Sequence, residues 1–223
     1  GITADDHVLE IGCGWGGFAI EAVRQTGCRV SGITVSQEQF KLARERVAAA
    51  GLEEKIDIRI CDYRHIEGTY SKIVSIEMLE AVGHAGLKPY FEACEKSLAP
   101  GGRAVIQVIT IADDNYDAYR RSSDWIRKHV FPGGHVPSVA IMQEIVGRHT
   151  ALEWIDLEMF ASHYARTLAI WREIFMERQD EIKAMGFDDK FIRKWEYYFA
   201  YCEAGFTTGK IDLAQIVLDR PQG

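Results

Sequence analysis

V-L-E-I-G-C-G-W-G-G (Val8 to Gly17) is the stretch whose reading decides the fold. An apolar strand runs into an acidic residue and a glycine-rich turn, and F-A-I-E-A-V (Phe18 to Val23) continues as a helix. In a strand–turn–helix unit of this kind, backbone N–H groups at the helix N-terminus face a ligand. Glycine suits the turn because it visits backbone angles that a Cβ forbids and lets a ligand approach the main chain. The glycines alone fit two cofactors. Gly12, Gly14 and Gly17 match the dinucleotide pattern G-x-G-x-x-G, while Glu10, Gly12, Gly14 and Gly16 match E-x-G-x-G-x-G of S-adenosylmethionine enzymes.

Acidic residues separate the two. A dinucleotide site places an Asp or Glu at the end of the next strand to hold the ribose. Here that strand is C-R-V-S-G-I-T (Cys28 to Thr34), and no carboxylate follows until Glu38, inside the next helix. Glu10 instead precedes the first glycine, where a carboxylate can orient the ammonium group of a methionine moiety. A compact sulfonium without a pyrophosphate suits that acid, and a dinucleotide does not.

Outward from the turn, strands and helices alternate as far as Ile111. S-Q-E-Q (Ser36 to Gln39) caps a helix to about Ala50, and Gly51 stops it. I-D-I-R-I-C (Ile56 to Cys61) and Y-S-K-I-V-S-I (Tyr70 to Ile76) read as strands. A helix over about Lys88–Leu98 ends at Pro100, Gly101 and Gly102, and a strand runs from Arg103 to Ile111. This alternation predicts an α/β, doubly wound, mostly parallel sheet with its ligand at the carboxyl ends of the strands. Residues 113–150 read as a helical insertion over that edge, with a helix over Tyr119–Lys128 and a turn-rich F-P-G-G-H-V-P-S (Phe131 to Ser138). Leu152 to Phe160 alternates as a strand; long helices over about Tyr164–Ala184 and Asp188–Cys202 and a last, antiparallel strand at Gln215–Leu218 complete a single domain, 1–223.

Composition narrows the classes. A net charge of −7 argues against nonspecific nucleic-acid binding, which needs a basic face. The five cysteines include no C-x-x-C, which points to reduced thiols and a cytoplasmic setting. The seven histidines include no H-x-x-x-H pair, so no metal is expected. No apolar run is long enough to span a membrane.

With these pieces placed, the chain resembles the cyclopropane fatty acid synthase family of S-adenosylmethionine-dependent transferases, in its plant-type branch. The resemblance rests on E-I-G-C-G-W-G-G (Glu10 to Gly17), G-I-T-V-S-Q-E-Q (Gly32 to Gln39), S-I-E-M-L-E-A-V-G (Ser75 to Gly83), Y-R-R-S-S-D-W-I (Tyr119 to Ile126), F-P-G-G (Phe131 to Gly134), W-E-Y-Y (Trp195 to Tyr198) and C-E-A-G-F (Cys202 to Phe206). It implies a Rossmann-like class I methyltransferase fold. It implies also transfer of a methylene unit to the cis double bond of an unsaturated phospholipid acyl chain, with bound bicarbonate as the base. Glu80, Tyr164 and Ile109 match residues that hold the bicarbonate, and Gln107 stands where many members have His. Gln can donate to an anion but carries no positive charge. Around the cofactor the resemblance places Glu10, Gly12, Cys13, Gly14, Trp15 and Gly16 at the turn. Thr34, Val35 and Gln39 belong near the ribose and methionine, and Asp62, Tyr63 and Ile76 near the adenine. Trp125, Phe131, Trp154, Phe160, Trp171 and Phe175 are candidates for acyl-tunnel walls, although aromatics at helical spacing serve equally as core.

The family carries roughly a hundred residues of helical cap ahead of the glycine-rich strand, a domain-sized piece, which this sequence lacks, so an open site is expected. A cap cysteine near the bicarbonate belongs upstream, and Cys13 is not its counterpart. Competing readings are a C- or N-methyltransferase of the same family and a noncatalytic lipid-binding fragment. Ala81 after Glu80 and Gln107 in place of His disfavour a small-amine substrate. Arg120, Arg121, Arg127, Lys128 and His129 form a segment suited to a lipid surface, which would make the protein peripheral to a membrane; a homodimer is the assembly considered.

Overall fold

Parallel pairing of the N-terminal strands sets the architecture. In the computed structural model, which describes residues 1–222, β1 (His7–Ile11) lies between β2 (Arg29–Thr34) and β4 (Tyr70–Ile76), parallel to both, and β3 (Ile56–Ile60) flanks β2. β5 (Leu98–Ile111) follows β4 in parallel. β6 (Glu153–Met159) and β7 (Ile211–Asp219) complete the order β3-β2-β1-β4-β5-β7-β6, with β7 antiparallel to both its neighbours. This is the doubly wound, mostly parallel sheet with an antiparallel C-terminal strand that the sequence predicts. Strand order reverses beside β1, between chain neighbours that wind in opposite directions, and ligands bind at such a point.

Each strand feeds two layers because successive side chains alternate across the sheet. Val8, Val30, Ile58 and Val74 pack under α1 (Gly17–Thr26) and α2 (Gln37–Ala49) through Ala19, Val23, Ala43 and Val47. Leu9, Ile11, Ile73 and Ile106 pack on the other face, under α3 (Gly83–Ser97), through Leu87, Tyr90 and Phe91. Beyond β5, α4 (Asp113–Arg120) and α5 (Trp125–His129) reach over the carboxyl edge of the sheet, whereas α6 (Val139–His149) packs beside α3 with Met142 in the same core. Only the part of the expected insertion up to Ser138 therefore covers the ligand edge. α7 (Ala161–Glu177), the short α8 (Gln179–Ala184) and α9 (Asp189–Thr207) follow, and α7 and α9 join Leu168, Phe199 and Phe206 to Leu213 of β7.

Three expectations need correction. The helix expected over Tyr119–Lys128 is two helices. Asp124 accepts the Arg127 N–H at 2.8 Å and so starts α5, while the Arg127 guanidinium holds the Tyr119 and Ser122 carbonyls that end α4. The helix expected over about Lys88–Leu98 starts a turn earlier, at Gly83, because the 3₁₀ turn Leu79–Ala81 runs straight into it. Pro100–Gly102 does not end an element. Leu98 pairs with Tyr70 and Arg103 with Lys72, so the intervening residues bulge out of one long strand. Arg103 then ties that strand to β7 through a bidentate pair with Asp219, both bonds 2.7 Å.

Gly32 lets the glycine-rich turn close on β2. A Cβ there would stand 2.9 Å from Cys13 Cβ, which the backbone fixes, and 2.8 Å from the more adaptable tip of Ile58. Gly32→Ala is accordingly expected to lower stability by about 1–3 kcal/mol, measured by urea unfolding. An unchanged midpoint would show that the turn and β2 can part without cost.

Candidate active site

The turn after β1 is fastened to β2 by its own main chain. The N–H groups of Gly12 and Cys13 both donate to the Ile33 carbonyl (3.0 and 2.9 Å), and that of Gly16 to the Cys13 carbonyl at 2.9 Å. Gly12 has φ +82°, and an added Cβ would lie 2.6 Å from Met78 Cγ, so the ends of β1 and β4 are in close contact. α1 begins beyond Gly16 without a side-chain cap, which leaves its first N–H groups facing the carboxyl edge.

Glu10 lies beneath this turn. It is 3% exposed, and its Oε2 has no hydrogen-bond partner among the described residues. Burial pushes its carboxyl up to about 8. A buried, unpartnered carboxyl oxygen is costly, and a cationic donor is the group that would satisfy it. Thr34 donates its hydroxyl to Gln39 Oε1 at 2.7 Å and accepts the Ser36 N–H at 3.1 Å, which fixes the loop after β2. Trp15, Val35, Ile60 and Ile76 stay exposed around these strand ends, forming an apolar rim. The structure thus gathers Glu10, Gly12, Gly14, Trp15, Gly16, Thr34, Val35, Gln39 and Ile76 at one edge, with Asp62 and Tyr63 after β3. Two of the expected contacts are qualified. The Cys13 side chain turns into the α1–α2 core, where burial pushes its thiol up to about 12, so only its backbone faces the edge. The Asp62 carboxylate is already engaged by Arg64 at 2.9 and 2.7 Å, and those bonds hold its carboxyl down to about 2.

At the end of β4 a second acidic group forms. Glu80 accepts the Ile109 N–H on Oε1 at 2.7 Å, its Oε2 is buried without a partner among the described residues, and burial pushes its carboxyl up to about 7. Its carbonyl accepts the His135 N–H at 2.8 Å, so the loop Phe131–Ser138 is pinned directly behind it. His135 is itself buried against Tyr116, 2.8 Å from the hydroxyl, and burial drops its imidazole to about 4. Tyr164 and Gln107 do not meet Glu80 directly: both donate to Glu77, at 2.6 and 2.9 Å. The three donors expected to hold bicarbonate, on Tyr164, Gln107 and Ile109, thus all have acceptors within the chain, and the residues present do not fit the bound anion.

A cavity of about 1150 Å³ opens beside these carboxylates. Ile109, Ile126, Val130, Phe131, Tyr198 and Tyr201 supply its apolar walls. Of the six aromatic candidates only Phe131 lines it. Trp154 packs on the sheet core, Phe160 and Phe175 join the α7–α9 cluster, Trp171 is exposed, and Trp125 packs edge-on against Tyr197 at 4.6 Å. Tyr119, Tyr198 and Tyr201 line the cavity too, and their spacing in the sequence is that of core aromatics. Arg120 and Arg121 share Asp117, and Arg127 is spent on carbonyls, which leaves Lys128 and His129 as the exposed remainder of the basic segment.

A Gly-rich turn at the reversal point of this sheet, with a buried acid on β1 and a half-buried one just past β4, defines a protein of the class I methyltransferase fold. The model of the mycolic acid cyclopropane synthetase family matches residues 1–216, and the chain belongs to that family. It is 46% identical over 220 residues to a tuberculostearic acid methyltransferase of Mycobacterium tuberculosis, covering 99% of this chain and 51% of that protein. It is 35% identical over 214 residues to the cyclopropane-fatty-acyl-phospholipid synthase of Escherichia coli K12, covering 96% and 53%. The structure of the cyclopropane synthase MmaA2 from Mycobacterium tuberculosis superposes with a TM-score of 0.89 at 25% identity, over 98% of this chain and 79% of that one. The chain spans about half the length of the curated relatives it matches.

Glu10 and Glu80 release their protons at higher pH in the folded chain than the ordinary value of 4.5. The folded state therefore holds more protons than the unfolded state above that value, and unliganded stability falls as pH rises from about 4.5 towards 7 and 8. Glu10→Gln removes one of these groups. Relative to the native chain it should gain on the order of a few kcal/mol between pH 5 and pH 8, measured by denaturant unfolding at both. A difference that stays constant across that range would contradict the burial of Glu10 as an acid.

Proposed function

We propose that this protein transfers a one-carbon unit from S-adenosylmethionine to the double bond of an unsaturated lipid acyl chain, with a cyclopropane ring on a phospholipid chain as the product. The observation that carries the reading is the placement of an apolar cavity of about 1150 Å³ beside the acids at the end of β4, on the edge that carries the glycine-rich turn. Bound there, the cofactor supplies an activated methyl group.

The chain's own residues divide the work. Glu10 would pair its unpartnered Oε2 with the cofactor's ammonium, and an ionised Glu10 then gains the partner that burial denies it. Gly12, Gly14 and Gly16 keep the main chain bare for close approach, while Thr34 and Gln39 present polar atoms and Val35 and Ile76 an apolar seat. Tyr198 and Tyr201, on the cavity wall, offer electron-rich faces that shelter positive charge developing on the acyl chain. Glu80, half-buried and with its Oε2 buried and unpartnered, holds or gives up a proton near neutral pH. A lipid substrate brings the protein to a membrane surface, and α5, whose Ile126 and Arg127 line the cavity, carries Lys128 and His129 exposed to solvent. No helix among the described residues is long and apolar enough to cross a membrane.

Simple methylation is the second reading, favoured by the similarity to a methyltransferase named for tuberculostearic acid. Incubation with a deuteromethyl cofactor and an oleoyl phospholipid decides between them. A ring bearing two deuteriums, seen by mass and proton NMR, is the expected product; a methyl or methylidene branch would replace cyclopropanation with the second reading. Glu80→Gln is expected to lower turnover more than roughly tenfold, about 1.4 kcal/mol in the barrier. Adenosylhomocysteine affinity by calorimetry should stay within about twofold. Unchanged turnover would remove Glu80 from the chemistry.

A further inference from the structure

Glu77 is the only non-glycine residue in the left-handed region among the described residues, with φ +52°. A residue with a long side chain persists there only where its surroundings hold it, and here three elements do. Its N–H bonds the Gln107 carbonyl of β5 at 2.9 Å. Its Oε1 accepts Gln107 Nε2 at 2.9 Å and its Oε2 the Tyr164 hydroxyl of α7 at 2.6 Å. Gln215 of β7 donates to Gln107 Oε1 at 2.9 Å, which fixes the Gln107 amide with its NH₂ towards Glu77. Both donors are neutral. They orient a carboxylate without supplying a counter-charge, and Glu77 remains exposed to the cavity it lines.

We propose that Glu77 is the anion of this site: a carboxylate built into the chain, in the place where the family resemblance leads one to expect bound bicarbonate, that takes the proton lost by the alkylated acyl chain. The inference rests on the alkylation proposed above. Once the new carbon is joined to one alkene carbon, its neighbour is cationic. A C–H bond of the new carbon breaks, the proton forms an O–H bond on Glu77, and the C–H electron pair closes the ring on the cationic carbon. Glu77 then passes the proton to water, and no further reactant is consumed. A tethered carboxylate has no entropy of capture to meet at each turnover. Tyr164, which lies beneath it, stays a donor, since burial and the charge of Glu77 both push its phenol far above its usual range.

The test compares the full-length native protein with Glu77→Gly and Glu77→Gln, using [¹³C]bicarbonate as the probe. Glu77→Gly relieves the backbone strain and vacates the donors; Glu77→Gln keeps the shape and loses the basic oxygen. NMR titration with bicarbonate should show no binding to the native protein or to Glu77→Gln, and saturable binding to Glu77→Gly that Tyr164→Phe weakens. Turnover should be indifferent to bicarbonate depletion in the native protein. It should fall more than roughly tenfold in both variants, and be restored by added bicarbonate in Glu77→Gly alone. Bicarbonate binding to the native protein, turnover that requires it, or absence of binding to a folded Glu77→Gly would each overturn the proposal. The NMR result judges Glu77 even where no lipid product forms, whereas failure to form any alkylated lipid overturns the proposed reaction instead.

Discussion

The parallel register of β1 with β2 and β4 is the constraint on which the rest depends. It ends three strands at one edge, so that positions far apart in the chain meet there: the turn from Gly12, the Thr34–Gln39 pair, and the acids Glu77 and Glu80. The Ile33 carbonyl, accepting two N–H groups from the turn, turns this register into a fixed loop shape. Met78 fills the space that the missing Cβ of Gly12 leaves, which couples the glycine-rich half of the edge to the acidic half. Buried aliphatic side chains on both faces hold the strands, and the edge is free to carry groups that stabilise nothing.

Two of those groups cost stability in the unliganded chain. Glu10 is a buried acid and Glu80 a half-buried one, each with one buried oxygen that no donor reaches among the described residues. A sheet built only for stability would carry apolar residues there. Their environments differ in a way that suits different tasks. Glu10 faces the turn with no hydrogen bond to bias it, so burial alone sets its carboxyl in the unliganded chain. Glu80 is half satisfied by the Ile109 N–H and lies next to a second acid, which leaves its proton loosely held near neutral pH.

Much of this was legible in the sequence, for identifiable reasons. The alternation of apolar strands with capped helices announced the sheet, because buried parallel strands tolerate only such runs. Ser36 as a cap and Glu10 before the glycines are short-range signals, and the structure shows Ser36 as the cap of α2 and Glu10 buried under the turn. Glu77 was not legible. Its conformation and both its donors come from tertiary contacts 30 and 87 positions away, and an isolated Glu after a strand carries no mark of either. The break between α4 and α5 was hidden for a similar reason: the Arg127 guanidinium that stabilises it reads, in sequence, as one more charge on a solvated helix. The tunnel walls followed neither rule, since aromatics of core and cavity share the same helical spacing.

The edge above Glu10, as the proposed site for S-adenosylmethionine, is tested most directly by calorimetry with adenosylhomocysteine on the native protein and on Glu10→Gln. One saturable site is expected, with affinity lowered more than roughly tenfold in the variant, about 1.4 kcal/mol. No heat at millimolar ligand, or equal affinity in the two proteins, would contradict it.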